Sequence, residues 1–182
     1  MNFPKTAGQC KYVLALRSNK PIIIGTGPAG TGKTMLACNI ATEHILKHPR
    51  ARVVLTRPIV AADEDMGYLP GDMDQKMEPW TRPMYDIFEQ SMTHNQMDRC
   101  ICIEPLGYMR GRTFNHTLII ADEMQNSTPN QMKLLLTRLG EGTKIIVTGD
   151  LEQSDLEGDN GLENLVYKMQ CMELDYIQHV EM

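Results

Sequence analysis

The sequence predicts an α/β fold, a parallel sheet covered by helices on both faces, and three observations predict it. Short apolar runs rich in Ile and Val alternate with stretches of helical periodicity along the chain. Most of the runs end at or just before Gly, Pro or Asp, as strands leading into turns do. The first run, Pro21–Thr26, leads directly into a glycine-rich turn and then a helical pattern. At 182 residues there is room for one domain of ordinary α/β size, read as spanning residues 1–182.

Ile22–Gly25 reads as a buried strand, and the helix after it runs from Lys33 to about Leu46. Ala37, Ile40, Ala41 and Ile45 form the apolar face of that helix, and Pro49 stops it. Arg52–Thr56 is the second strand. Pro58–Trp80, with Gly67, Pro70, Gly71 and Pro79 among many acids, has little periodicity and is predicted to be a functional loop or an insertion. Cys100–Glu104, Thr117–Asp122 and Lys144–Thr148 are further strands, with a weaker candidate at Glu173–Ile177. Thr128-Pro129-Asn130-Gln131 announces a helix: Thr128 caps, Pro129 suits the first helical position and Gln131 completes a capping box. Met132, Leu135, Leu136 and Leu139 form its stripe, and Gly140 ends it. A late helix at about Asn160–Met169 repeats the spacing with Leu162, Leu165, Val166 and Met169.

Composition limits the function classes. A net charge of −5 and a pI of about 5.5 give no overall pull toward nucleic acid or membrane, so any nucleic-acid contact has to use a local basic patch. No apolar stretch reaches membrane-spanning length, and the N-terminus lacks the apolar core of a signal peptide. Cys10, Cys38, Cys100, Cys102 and Cys171 are an odd set without C-x-x-C, and Cys100 and Cys102 are read as alternate residues on one strand face, packing rather than binding zinc. A reducing, cytoplasmic compartment is expected. Met73, Met77, Met84, Met92 and Met97, five of the 14 methionines, read as adaptable packing.

The chemistry is concentrated in Gly27-Pro28-Ala29-Gly30-Thr31-Gly32-Lys33-Thr34, which fits the P-loop pattern G-x-x-x-x-G-K-[ST] between a strand and a helix. A loop around a triphosphate must turn its own N–H groups inward, which the glycines permit, and the helix N-terminus adds further donors. Lys33 is placed to reach the β- and γ-phosphates, and Thr34 to offer its hydroxyl to Mg²⁺. Leu118–Ala121 ends in Asp122-Glu123: Asp122 is the expected second Mg²⁺ ligand and Glu123 the base that polarises an attacking water. Thr148-Gly149-Asp150 ends another strand, which brings Asp150 and Gln153 toward the γ-phosphate. Gln9 can donate to and accept from an adenine edge, and no guanine-reading N-K-x-D occurs, so ATP is the expected nucleotide. Arg57, and Arg110 and Arg112 in the loop beside His116, suit phosphate, whether of single-stranded RNA or of a neighbouring subunit's nucleotide.

Taken in order, these segments resemble the PhoH-like family. The carriers are Gly27–Thr34, Thr56-Arg57-Pro58-Ile59-Val60, Gly67-Tyr68-Leu69-Pro70-Gly71-Asp72, Pro105–Thr113, Asp122-Glu123-Met124-Gln125-Asn126 and Thr148-Gly149-Asp150, over about Thr6 to Ile177. The resemblance implies a RecA-like core related to superfamily 1 helicases, ATP and Mg²⁺ as ligands, Gln9 at the adenine, Gln153 coupled to the γ-phosphate, and RNA-linked work. Two departures stand out. Asp155-Leu156 is followed by Glu157 where the family usually has Pro, and the family's Val-Arg-His stands as Ile177-Gln178-His179. The missing arginine motivates a second reading, a nucleotide-binding interaction module that hydrolyses little. A full helicase needs a second motor domain, so an arginine in trans is expected, Arg110 or Arg112 presented to the next P-loop in a homo-oligomeric ring, with a hexamer the candidate size.

Overall fold

The computed structural model describes residues 4–48, 50–58, 73–156 and 158–182, with residues 73–78 as backbone only. Along the chain run α1 (Ala7–Arg17), β1 (Ile22–Thr26), α2 (Lys33–Lys47), β2 (Arg52–Thr56), α3 (Met73–Phe88), α4 (His94–Cys100), β3 (Ile101–Ile103), β4 (Thr117–Ala121), α5 (Pro129–Leu136), β5 (Lys144–Gly149), α6 (Gly161–Cys171) and β6 (Ile177–Glu181). One-turn 3-10 helices occupy Leu106–Met109 and Met124–Asn126. The six strands form one parallel sheet in the order β3-β2-β4-β5-β1-β6. This is the RecA-like α/β arrangement, in which β5 separates β1 from β4 and all carboxyl ends share one edge.

The central strands are apolar at consecutive positions because both faces are covered, so β1 and β4 are buried throughout. Tyr12, Leu16, Leu36, Ala37, Phe88 and Met97 pack on one face against Ile23, Leu55 and Ile120. Met132, Leu135, Leu162 and Val166 pack on the other against Ile24, Ile119 and Val147. Met84, Met92 and Met97 are core residues, as adaptable packing requires.

Locally encoded features stand where the sequence puts them. Thr128 Oγ1 accepts from Gln131 N at 3.2 Å, Gln131 Oε1 accepts from Thr128 N at 2.9 Å, and Pro129 opens α5. Asn160 caps α6 through its side chain. One helix has no counterpart in the sequence reading: α1 opens on a Thr6/Gln9 capping box, and exposed Leu14 interrupts its apolar stripe. Four expectations need correction. Met73–Trp80 is helical rather than irregular, despite Pro79 and Pro83 within α3; the remainder of the predicted loop, 59–72, lies outside the described residues. The last strand is Ile177–Glu181 rather than Glu173–Ile177, and Ile177 N bonds Leu174 O in the turn before it. Cys100 closes α4 and is buried, whereas Cys102 lies in β3 and is exposed, so they do not share a strand face. Helix α5 also ends at Leu136, ahead of Gly140, where the Thr137 hydroxyl turns back to the carbonyls of Lys133 and Leu134.

Candidate nucleotide site

The P-loop leaves the carboxyl end of β1, between β5 and β6, and closes on the N-terminus of α2. Gly27, Gly30 and Gly32 all have positive φ, and Gly32 at +89° caps α2 in the left-handed region, where a side chain would be strained. Lys33 curls back over the loop, its Nζ donating to Gly27 O at 2.6 Å and to Pro28 O at 2.8 Å. Burial holds its ammonium below the usual lysine range, against the opposing pull of Asp150, Glu123 and Asp122. Three carboxylates thus face one cation at the strand ends, and a bound triphosphate would add charge of the sign that Lys33 and the loop N–H groups favour.

Asp122 extends β4 and is nearly buried, with Oδ1 accepting from Thr34 Oγ1 at 2.8 Å and from the Thr148 hydroxyl. Its own N–H reaches Thr56 O at 2.9 Å, which fixes the chain after β4 to the end of β2. Thr34 and Asp122, the expected metal ligands, are therefore brought together. Among the described residues no cluster of three or more His, Cys, Asp and Glu could hold a metal alone. One hydroxyl and one carboxylate beside a phosphate cradle is the donor set that suits Mg²⁺, which takes most of its ligands from water and phosphate oxygens.

Glu123 sits in the left-handed region at φ 54°, a conformation uncommon for a residue with a side chain. Gln125 holds it there. The buried Gln125 amide donates through Nε2 to Glu123 Oε2 and accepts through Oε1 from Asp150 N at 3.1 Å. Asn126 binds Asp155 twice, through Nδ2 to Oδ2 and from Asp155 N to Oδ1, and Ser154 Oγ donates to Gln125 O. The segments after β4 and β5 are stitched together, which gives Asp150 a route to Glu123. Sequence reasoning quoted Gln125 in Asp122–Asn126 but gave it no role; its adjacency to the paired acids was the available signal.

Gln9 is buried against the loop. Its Nε2 donates to Thr31 O at 3.0 Å, while Oε1 accepts from Lys5 N at 2.7 Å and Thr6 N at 3.3 Å. The amide fastens α1 to the P-loop, and using Oε1 on an adenine would require exchanging one of these bonds. Gln153 is exposed on the turn after Asp150. Arg57 follows β2 at the same edge of the sheet, its guanidinium 4.7 Å from the centroid of the Trp80 ring. Arg110 and Arg112 are not brought to this site. After Leu106–Met109 the chain passes down to the amino end of β4, and Arg112 pairs with Glu104 beside β3, at the outer edge of the sheet. Sequence reasoning also missed His179, whose Nε2 lies 2.7 Å from Thr26 Oγ1 just before the P-loop.

The fold and this constellation define a protein of the P-loop NTPase fold class. The sequence model of the family described as PhoH-like protein matches residues 3–182, and the chain belongs to that family. It is 49% identical over 158 residues to a PhoH-like protein of Bacillus subtilis (strain 168), covering 84% of this chain and 49% of that one. It is 42% identical over 159 residues to Protein PhoH of Escherichia coli (strain K12), covering 84% and 45%. The chain thus spans about half the length of the curated relatives it matches. Solved structures with a similar fold include Pif1 helicase from Candida albicans, at TM-score 0.48 and 16% identity over 100% of this chain and 40% of that one. Another is the Phi-28 gp11 DNA packaging motor, at TM-score 0.48 and 11% identity over 93% and 58%.

Proposed function

We propose that this chain binds ATP with Mg²⁺, hydrolyses it, and couples the cycle to single-stranded RNA. The observation that carries hydrolysis is Asp122-Glu123 at the end of β4, with Asp122 tied to the P-loop threonine and Glu123 held apart from it by Gln125. Two adjacent carboxylates with separate partners can take separate roles. Asp122 and Thr34 would hold Mg²⁺, which when bound supplies charge compensation to the phosphates. Glu123, not spent on the hydroxyl of Thr34, would orient a water and accept its proton. Lys33 would exchange its loop carbonyls for β- and γ-phosphate oxygens, and Asp150, bonded to Gln125, would report the γ-phosphate to the loop carrying Gln153.

In this reading Gln9 favours adenine and Arg57 meets RNA phosphate. The outer-edge position of Arg110 and Arg112 supports their use in trans, by a neighbouring copy in a head-to-tail ring. The second reading, an ATP-bound interaction module, draws on Gln178, which lies beside Ile23 in β6 where the family usually has arginine. Phosphate release from ATP, measured with and without oligo(U), separates the two. Hydrolysis stimulated by RNA, with Glu123→Gln keeping nucleotide affinity and losing turnover by roughly 10²-fold or more, supports the enzyme. ATP binding without turnover above the Glu123→Gln background supports the module.

A further inference from the structure

Three of the nine arginines gather beside β3 and two more, Arg110 and Arg138, adjoin the turn that leads to Arg112, in a chain whose net charge is −5. Arg52, Arg99 and Arg112 line a cleft of about 410 Å³ that runs along this outer strand over Val54 and Cys102. Arg138 braces the adjoining turn, donating to Arg112 O at 2.7 Å and Met109 O at 3.2 Å, and exposed Arg110 sits on the same turn. No lysine lines the cleft. Its acids are Asp98 and Glu104, and Glu104 is taken by Arg112. The local charge is therefore opposite in sign to that of the whole molecule.

The usual structural account of such arginines covers only part of this set. Arg99 lies in the last turn of α4, where a cation offsets the helix dipole, and Arg138 is consumed by backbone carbonyls. The side chains of Arg52, at the exposed first position of β2, and of Arg110 form no hydrogen bond or ion pair with the described residues. Arg112 is half-exposed and lies flat, its guanidinium 4.7 Å from the Phe114 ring centroid. Planar forks of this kind match phosphate oxygens. On the turn that carries Arg110, Tyr108 is 63% exposed. An aromatic face beside arginine forks is the combination that holds unpaired bases and their backbone.

We infer that this arginine cleft is a binding site for single-stranded nucleic acid, with Arg52, Arg99 and Arg112 on phosphates and Tyr108 beneath a base. It rests on, and sharpens, the RNA-linked reading above. The cleft begins at the amino ends of β2 and β4, while the P-loop follows the carboxyl end of β1, which is separated from β3 by β2, β4 and β5. Nucleic acid on Arg52, Arg99 and Tyr108 and triphosphate at the chain's own P-loop use different side chains, and Arg112 alone is shared with the use in trans.

The test is the anisotropy of labelled oligo(U) as salt is varied, for the wild type, Arg52→Glu/Arg99→Glu and Tyr108→Ala. None of these residues belongs to the nucleotide site, so nucleotide affinity and basal phosphate release should be unchanged. The double variant should bind oligo(U) at least about 10-fold more weakly at low salt, and its slope of log affinity on log salt should shrink by about 1.4, two phosphates at roughly 0.7 each. Tyr108→Ala should weaken oligo(U) while leaving heparin, a polyanion without bases, at the wild-type level. Wild-type binding matched in strength and slope by the double variant overturns the cleft and leaves the RNA reading standing. Equal weakening of heparin and oligo(U) by Tyr108→Ala overturns the base contact and with it the nucleic-acid assignment. If the wild type binds no oligo(U) at low salt, the cleft and the RNA reading fall together.

Discussion

The carboxyl ends of the strands and the outer edge beside β3 handle charge in opposite ways. At the carboxyl ends the polar groups are shielded and paired with one another: Asp122 with Thr34 and Thr148, Glu123 with Gln125, Gln125 with Asp150. At the outer edge, arginines stand in solvent, and Arg52, Arg99 and Arg110 have no protein partner among the described residues. Positions fixed before the ligand arrives suit chemistry, where displaced donors cost rate. Solvated guanidinium groups suit a flexible polyanion, whose attraction needs charge more than geometry. The carboxyl-end site should therefore fail sharply when one member is removed, whereas nucleic-acid binding at the edge should fail gradually and in proportion to salt.

The largest effect should come from Lys33→Ala. It removes the cation that faces the β- and γ-phosphates, so titration with a fluorescent nucleotide should show binding nearly abolished. Wild-type affinity would count decisively against the P-loop assignment. Oligo(U) binding at the edge should survive the same substitution, and its parallel loss would mean that the two regions are one site.

Next in size is the role of the edge arginines toward a neighbour. An arginine supplied to a P-loop contributes roughly 10³-fold or more to turnover, and this chain's own Arg110 and Arg112 lie away from its own P-loop. Arg110→Ala/Arg112→Ala and Lys33→Ala proteins should each be nearly inactive in phosphate release. Mixed, they should regain part of the activity, because some interfaces pair an intact P-loop with an intact arginine turn. Full activity from a species shown by light scattering to be monomeric, or no recovery from subunits shown to co-assemble, rules the trans arrangement out.

The same contrast explains what the sequence disclosed. The P-loop, the Asp122-Glu123 pair and the Thr128/Gln131 cap are contiguous, and their chemistry is local, so residue type and spacing sufficed. Helix α3 was hidden because its start lies among Gly71, Pro79 and many acids and shows little periodicity, although Met84 and Phe88 anchor that helix in the core. Strand β6 was displaced because only Ile177 and Val180 are buried, too little for a clear period. The link from Gln125 to Asp150, and the meeting of Arg52, Arg99 and Arg112, depend on which strands lie side by side. Pairing order is a property of the assembled sheet and has no local signature.

A smaller effect should separate the regions by pH. Burial lowers the basicity of His44, with His48 and Lys144 adding to it, and lowers that of His179 against the opposing pull of Glu181. A histidine whose folded pKa lies below its unfolded 6.5 binds fewer protons when native, so the stability it contributes is present above about 6.5 and lost as pH falls below it. Thermal melting should move to lower temperature between about pH 7 and pH 5. His179→Gln should flatten that dependence, and because His179 meets Thr26 at the start of the P-loop, it should also flatten the acid loss of nucleotide affinity. His44→Gln should flatten only the melting curve. Identical behaviour of the two variants would show that His179 has no particular link to the nucleotide site.

The smallest expected effect probes how far the paired network at the carboxyl ends extends. Tyr12 is fully buried under the sheet, with its ring against Gly25, where an added Cβ would come within 2.6 Å of it. Burial pushes its hydroxyl far above the usual tyrosine range, and Asp122 pushes in the same direction. Yet this hydroxyl has no hydrogen-bond partner among the described residues. A buried, unpaired hydroxyl carries a desolvation cost of roughly 1–3 kcal/mol that no bond offsets, whereas the ring supplies the packing. Tyr12→Phe keeps the ring and removes the cost, so denaturant unfolding should show stability unchanged or raised by up to about 1 kcal/mol. A loss of more than about 1 kcal/mol would show that the hydroxyl is bonded, and that the network joining Asp122 to its neighbours continues beneath β1 into α1.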